Sequence, residues 1–185
     1  MRNFVRRVCR CKPAWSAEHQ IGKFAREIRS QAKGRSVLFL VSGGVDSTVA
    51  FALCVKALGR RRVQGVYVDT GLMRKDETKL FRERMGRLGF RNIDVIDRSD
   101  AFLTPLSHVI EPEQKRKIIG EAFVSMYHEL FDAWAKKGDT WMLGQGTIYP
   151  DTIESGGTAN AALIKTHHNR VPEIQELQKQ DRLIE

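Results

Sequence analysis

The sequence predicts an α/β fold: a doubly wound, mainly parallel sheet with helices on both faces. Two observations carry this. Short apolar, β-branched runs alternate with segments of helical period along the whole chain, and the connections between them are short, as in βαβ units. A loop rich in glycine and hydroxyl side chains, Ser42-Gly-Gly-Val-Asp-Ser47, directly follows the first apolar run. Such sheets bind ligands at the carboxyl ends of their strands, so this is where a site belongs.

The elements follow in order. Ser16 is placed to cap a helix reaching Ala32, with Ile21, Phe24, Ala25 and Ile28 as its buried face and Gly34 beyond its end. Ser36 to Val41 is almost wholly apolar and suits a strand buried on both faces. After the glycine loop a helix carries Val49, Ala50, Leu53 and Leu58 and ends at Gly59. Val63 to Val68 is a second strand, Asp76 to Leu88 a helix, and Ile93 to Ile96 a third strand. Asp100 to Ser107 forms a short helix. Pro112 opens the longest helical stretch, Glu113 to Lys136. Thr140 to Leu143 is a fourth strand, and Ala161 to Ile164 is the expected fifth. The tail from Glu173 is polar and helical in pattern, with no core of its own.

Composition bounds the function. The chain has 185 residues, 42% hydrophobic, 8% aromatic and 29% charged, the balance of one folded domain rather than of a disordered or fibrous chain. No run of about 18 apolar residues is present, so no membrane helix and no membrane partner are expected. Lys and Arg total 31 against 22 Asp and Glu, a net charge of +9 and a pI near 9.7. That excess favours polyanions, nucleotides included, or is simply a solvated basic surface. Aromatic residues are not interleaved with the basic ones as a stacking platform needs, so no nucleic-acid partner is expected. Three cysteines, Cys9, Cys11 and Cys54, form no disulfide framework, and no zinc-spaced pair follows Cys9 and Cys11. A reducing compartment, the cytoplasm, is the expected location. Residues 1–15 are a basic arm holding Arg2, Arg6, Arg7, Arg10 and Lys12, without the serines of a transit peptide up to Lys12.

The loop is the chemical core of the reading. Gly43 and Gly44 let backbone N–H groups approach an anion, and the helix behind them adds about half a positive charge. Ser42, Ser47 and Thr48 add hydroxyl donors. The pattern lacks the G-K-[ST] ending of a Walker loop and the G-x-G-x-x-G of a dinucleotide loop. Asp46 is the informative member. A carboxylate among phosphates repels them unless a cation stands between, which points to Mg²⁺ at Asp46.

SGGVDS after a first strand resembles the pyrophosphate-binding loop of the N-type ATP pyrophosphatases. Val66 to Arg74, Lys115 to Gly120, Gly144 to Ser155 and Ile164 to Asn169 resemble later motifs of one member family, the GMP synthetases, in order and spacing. The likeness runs from about Ser16 to Asn169, and Asn3 to Trp15 resembles the linker leading from that family's glutaminase domain. The resemblance implies an adenine-nucleotide α-hydrolase-like fold and a ligase of purine biosynthesis. In that family the 2-oxygen of XMP attacks the α-phosphate of ATP, pyrophosphate leaves, and ammonia then displaces AMP to give GMP. It implies an ATP site at Ser42, Gly43, Gly44, Val45, Asp46, Ser47, Thr48, Val68 and Gly146, with Val68 at a strand end beside adenine. Arg116 and His168 are implied at XMP.

The remaining candidates read in two ways each. Lys165, after an apolar run, is a second charge for the phosphates or a strand-end surface lysine. Asp151 and Glu154, in the segment Thr147 to Thr158, are a metal-holding or proton-moving pair of a catalytic lid, or a solvated capping pair. His167 and His168 orient a nucleotide or simply lie on a loop. The family resemblance favours catalytic roles for Asp46, Asp151, Glu154 and Lys165. Three departures set further expectations. No glutaminase domain precedes the arm, so ammonia comes from solution or from a separate glutaminase subunit. Residues 16–172 are the ATP pyrophosphatase domain, and 173–185 the start of an absent C-terminal domain that completes the XMP site and makes a homodimer. Asn169-Arg-Val-Pro172 lacks the paired glycines usual after HHN. The alternative function is a catalytically weak ATP-binding fragment or nucleotide-sensing module.

Overall fold

A computed structural model describes residues 1–12, 16–136, 141–146 and 178–184. Within them five strands form one all-parallel sheet: β1 (Ser36–Leu40), β2 (Val63–Asp69), β3 (Ile93–Asp97), β4 (Trp141–Gly144) and β5 (Leu183–Ile184), in spatial order β3-β2-β1-β4-β5. The helices are α1 (Ala17–Ala32), α2 (Val45–Leu58), α3 (Glu77–Arg87), α4 (Ser99–Leu106) and α5 (Pro112–Ala135). A five-residue π-helical turn, Phe4–Val8, makes up the middle of the exposed basic arm.

Alternation along β1 divides the core. Val37, Phe39 and Val41 face α1, α2 and α3, packing with Ala25, Phe51, Cys54, Phe81 and Met85. Leu38 faces the other way, joining Val66, Trp141 and Leu143 against Tyr127 and Phe131 of α5. Both faces of the sheet are therefore covered, which is why the central strands read as continuous apolar runs. Ser16 caps α1 as expected, accepting from the His19 N–H at 3.1 Å. Lys33 ends that helix in the left-handed conformation, and Gly34 follows at φ +85°.

Three expectations change. Phe24 is not part of the buried face of α1: it is 43% exposed, because Ala25 and Ala32 alone sit deep against α2 and the sheet. The phosphate loop is shorter than its motif, since α2 already begins at Val45 and takes Asp46, Ser47 and Thr48 into its first turn. The tail does have a place in the core. Leu183 and Ile184 pair with Leu143 and Gly144 as the fifth strand, and Ile184 is 3% exposed. Two apolar residues in a polar tail are too few to register as a strand by periodicity. What fixes them is around them: the Asp181 carboxylate binds Lys33 at 2.8 Å and Arg35 at 3.0 Å, and the Arg182 guanidinium lies 4.2 Å above the Phe131 ring. The fifth strand expected at Ala161 to Ile164 lies outside the described residues.

Candidate active site

Strand order reverses direction between β1 and β4, the place where a parallel sheet of this kind leaves a crevice at the carboxyl ends of its strands. The loop after β1 and the Gln145–Gly146 segment after β4 form its two sides. They touch: a Cβ built on Gly146 would lie 3.0 Å from the Ala50 Cβ and 3.4 Å from the carbonyl oxygen of Asp46. The two sequence motifs that hold Asp46 and Gly146, far apart along the chain, are thus brought to one place.

The loop is held by its own hydroxyls. The Ser42 and Ser47 hydroxyls are 2.9 Å apart, and Ser47 Oγ also accepts from the Ser42 N–H at 3.2 Å. Thr48 Oγ1 donates to the Gly44 carbonyl at 2.7 Å. These side chains shape the loop as well as offering donors. Gly43 has φ +81°, which a glycine adopts without strain. Gly44 is the N-cap of α2, and the N–H groups of Val45, Asp46 and Ser47 lie in a first turn that has no carbonyl of its own helix to bind. They point, with the positive end of the helix, toward the crevice.

Asp46 is exposed on that turn, and its carboxylate has no hydrogen bond or ion pair among the described residues. No group of three or more metal-ligating side chains occurs among those residues either. One free carboxylate beside an anion cradle fits Mg²⁺, which is commonly held by one or two carboxylates together with substrate phosphates, and does not fit an all-protein metal cage. Beside the loop, between α1, α2 and the ends of β4 and β5, lies an apolar cavity of about 450 Å³, with Asp46 and Gly146 among its lining residues.

Val68 lies near the end of β2, half-buried and packed with the α5-side core. The next residues form a latch that the motif reading passed over. Asp69 accepts from the Gly71 N–H at 3.0 Å and from the Thr78 hydroxyl at 2.6 Å, while its carbonyl accepts from the Arg98 N–H at 2.8 Å. This pins the rim segment to the start of α3 and to the end of β3. The signal was in the sequence: an Asp closing a strand, followed by Thr-Gly. Gly71 has φ +72°, and a Cβ there would meet Leu103 at 2.7 Å. Burial pushes the Tyr67 phenol beneath the loop above its ordinary range, and its hydroxyl lies 3.4 Å from that of Thr78.

Arg116 is on an outer face of α5, 70% exposed, and paired with Glu113 one turn earlier. Asp151, Glu154, Lys165 and His168, together with His167, lie outside the described residues. The structure therefore brings together Ser42 to Thr48 and Gly146, with Val68 on the strand next to β1.

The NAD synthase family profile matches residues 18–118, just over half of the chain. The chain belongs to the NAD synthase family. Its sequence relatives include a probable glutamine-hydrolysing GMP synthase of Leptospira interrogans, 46% identical over 187 aligned residues that cover 99% of this chain and 30% of the relative. A glutamine-hydrolysing GMP synthase of Thermomicrobium roseum is 45% identical over 172 residues, covering 91% of this chain and 32% of the relative. This member of the family thus spans about a third of the length of the curated relatives it matches, and what it matches is their ATP pyrophosphatase portion. Among solved structures, the NH3-dependent NAD synthetase of Campylobacter jejuni superposes with a TM-score of 0.61 at 18% identity, over 80% of this chain and 64% of that one. The fold is the adenine-nucleotide α-hydrolase fold. No helix of the described residues is long and apolar enough to cross a membrane.

Proposed function

We propose that this family member performs the ATP-activating chemistry of GMP synthesis: adenylylation of XMP, followed by amination with ammonia. The observation that carries this reading is the cradle at the sheet's reversal point, where the Ser42–Gly44 loop and the first turn of α2, with Asp46 unpaired among the described residues, lie against Gly146.

In this reading the β- and γ-phosphates of ATP lie in the loop. The N–H groups of Val45, Asp46 and Ser47 donate to phosphate oxygens, and the Ser42–Ser47 hydroxyl pair fixes the loop so that these donors need no rearrangement. The XMP 2-oxygen forms a bond to the α-phosphorus as the bond to the β-phosphate oxygen breaks. Negative charge then gathers on the departing pyrophosphate, where the donors are aimed. Asp46 would hold Mg²⁺, which would supply further neutralisation of that charge. Ammonia next attacks carbon 2, AMP departs with the oxygen, and a proton is lost to leave GMP. Lys165 is assigned to the phosphates, Asp151 and Glu154 to the lid over the reacting centre, and Arg116 and His168 to XMP, on the family resemblance. For Arg116 this requires release from Glu113, an exposed pair that costs little to break. Ammonia is the nitrogen donor in this reading.

Calorimetry with ATP tests the reading. Binding is expected with magnesium and is expected to weaken sharply without it, and Asp46→Ala should remove that difference. Equal affinity with and without magnesium in the parent chain takes Asp46 out of its role, and absence of ATP binding overturns the proposal.

A further inference from the structure

We propose that the end of the sheet opposite the ATP site binds the phosphodiester backbone of nucleic acid, through arginines at the corners that lead into β2 and β3. All five strands are parallel, so every corner that enters a strand lies at one end of the sheet. Those corners are basic. Lys33 and Arg35 precede β1, Arg60, Arg61 and Arg62 precede β2, and Arg91 precedes β3. Among the described residues of these corners and the one entering β5, Asp181 is the single acid, and Lys33 and Arg35 already hold it.

The free cations are consequently concentrated toward β2 and β3. Arg60, Arg61 and Arg91 are exposed and have no acidic partner among the described residues. The two corners are fastened together, because Asn92 Nδ2 donates to the Val63 carbonyl at 2.7 Å and the Gly65 N–H donates to the Asn92 carbonyl at 2.8 Å. Arg60 reaches across: its Nη2 would lie 3.6 Å from a Cβ on Gly89, a residue between Arg87 and Arg91 in sequence. Arg62 is anchored to the Leu58 carbonyl at 3.2 Å. The chain thus fixes like charges near one another with no counter-charge between them among the described residues, an arrangement that an anion relieves.

The geometry favours a repeated phosphate. Neighbouring strands are about 4.8 Å apart, so the corners of β2 and β3, which carry the free arginines, begin about 5 Å apart. That distance lies between one and two steps of a duplex strand at about 3.4 Å each, so adjacent phosphates fall within reach of the three long side chains. The unpaired groups are all guanidinium forks, which suit phosphate oxygens. Protein interfaces are built around buried apolar anchors, and Leu88 is the one large apolar side chain exposed among the described residues of these corners. No exposed aromatic is present among them to stack a base, so contact is with the backbone and carries no sequence preference. β1 separates this end from the phosphate loop by about 16 Å, so the two ligands do not compete.

Fluorescence anisotropy of the 185-residue chain with a labelled duplex of about 20 base pairs of DNA tests the proposal. Three backbone contacts predict about a 40-fold loss of affinity between 50 and 200 mM salt. The triple variant Arg60→Gln, Arg61→Gln, Arg91→Gln should abolish that salt dependence, whereas the corresponding Arg→Lys triple should retain it, which separates charge from folding. Arg2→Gln, Arg6→Gln, Arg7→Gln in the arm removes the same charge elsewhere and should leave most of the binding. The proposal is overturned if the first triple binds the duplex like the parent, if the arm variant loses as much, or if a polyglutamate peptide of equal charge binds and the duplex does not. ATP binding, measured in parallel, should be unchanged in every variant.

Discussion

The rings of Tyr67 and Phe81 stack with centroids 4.0 Å apart and planes 20° from parallel, and Gly43 rests on their edge. A Cβ on Gly43 would lie 3.2 Å from Phe81 and 3.6 Å from Tyr67, so the stack is the floor on which the phosphate loop turns. Phe81 belongs to α3 and is remote in sequence from the loop it supports.

Gly43→Ala should therefore be harmful twice over, through its positive φ and through the aromatic floor. A loss of about 1–3 kcal/mol is expected in urea unfolding. Phe81→Leu leaves the loop's chemistry untouched but removes the floor. It should lower ATP affinity about tenfold, a change of about 1.4 kcal/mol, with faster hydrogen exchange at residues 43–46. Unchanged exchange and affinity would mean that the loop holds its shape through the Ser42–Ser47 pair alone.

Gly144 faces Phe39 across the β1–β4 pairing, where a Cβ would overlap the Phe39 ring and fall 2.8 Å from Val37. Gly144→Ala is expected to destabilise by about 3 kcal/mol or more, at the upper end of overpacking. Adding Phe39→Leu should recover part of the loss. Gly120, inside α5 with nothing within 4 Å of an added Cβ, is the contrast: Gly120→Ala should stabilise by about 0.5–1 kcal/mol. Thermal unfolding of the three variants separates crowding from helix propensity.

Hydrogen bonding from Lys33, reinforced by Arg35, holds the Asp181 carboxyl below its ordinary range. A carboxylate with a lowered folded pKa stabilises fully above its unfolded value of about 3.9, and the contribution is lost as pH falls through the folded value. Asp181→Asn should accordingly lower the urea midpoint at neutral pH and converge with the parent in strong acid. Because Asp181 is exposed, molar salt should shrink the difference at neutral pH. A gap that persists at low pH would assign the effect to packing of the tail instead.

The central layer was legible because β1 and β4 are buried on both faces and read as short apolar runs, while β2 keeps its β-branched core residues Val63, Val66 and Val68 around Gln64. The anion cradle was legible for a related reason: Gly43 and Gly44 between strand and helix leave few other uses for that pattern. The meeting of Gly146 with Asp46 was carried by resemblance, since only the sheet order sets those residues side by side. The Asp69–Thr78 latch and the Phe81 floor depend on side chains crossing between elements, and no local period encodes that. Leu183 and Ile184 are strand by virtue of Asp181 and Arg182 holding them to α1 and α5, a tertiary cause invisible in two residues. At the other end of the molecule the arginines were counted in the net charge, but their convergence follows from every strand running the same way.

The origin of β5 at residues 183–184 bears on how the chain is made. β4 is buried along its whole length, yet among the described residues its outer edge is covered by β5 alone. During synthesis, β1 to β4 emerge well before Ile184, so until then a nascent chain lacks the strand that pairs with Leu143 and Gly144. Open apolar edges recruit other strands. Pausing in that interval, or proteolytic loss of β5, leaves Leu143 and Gly144 unpaired on the flank beside the crevice. Docking of the short stretch from Gln178 to Ile184 is then the step that closes this part of the sheet.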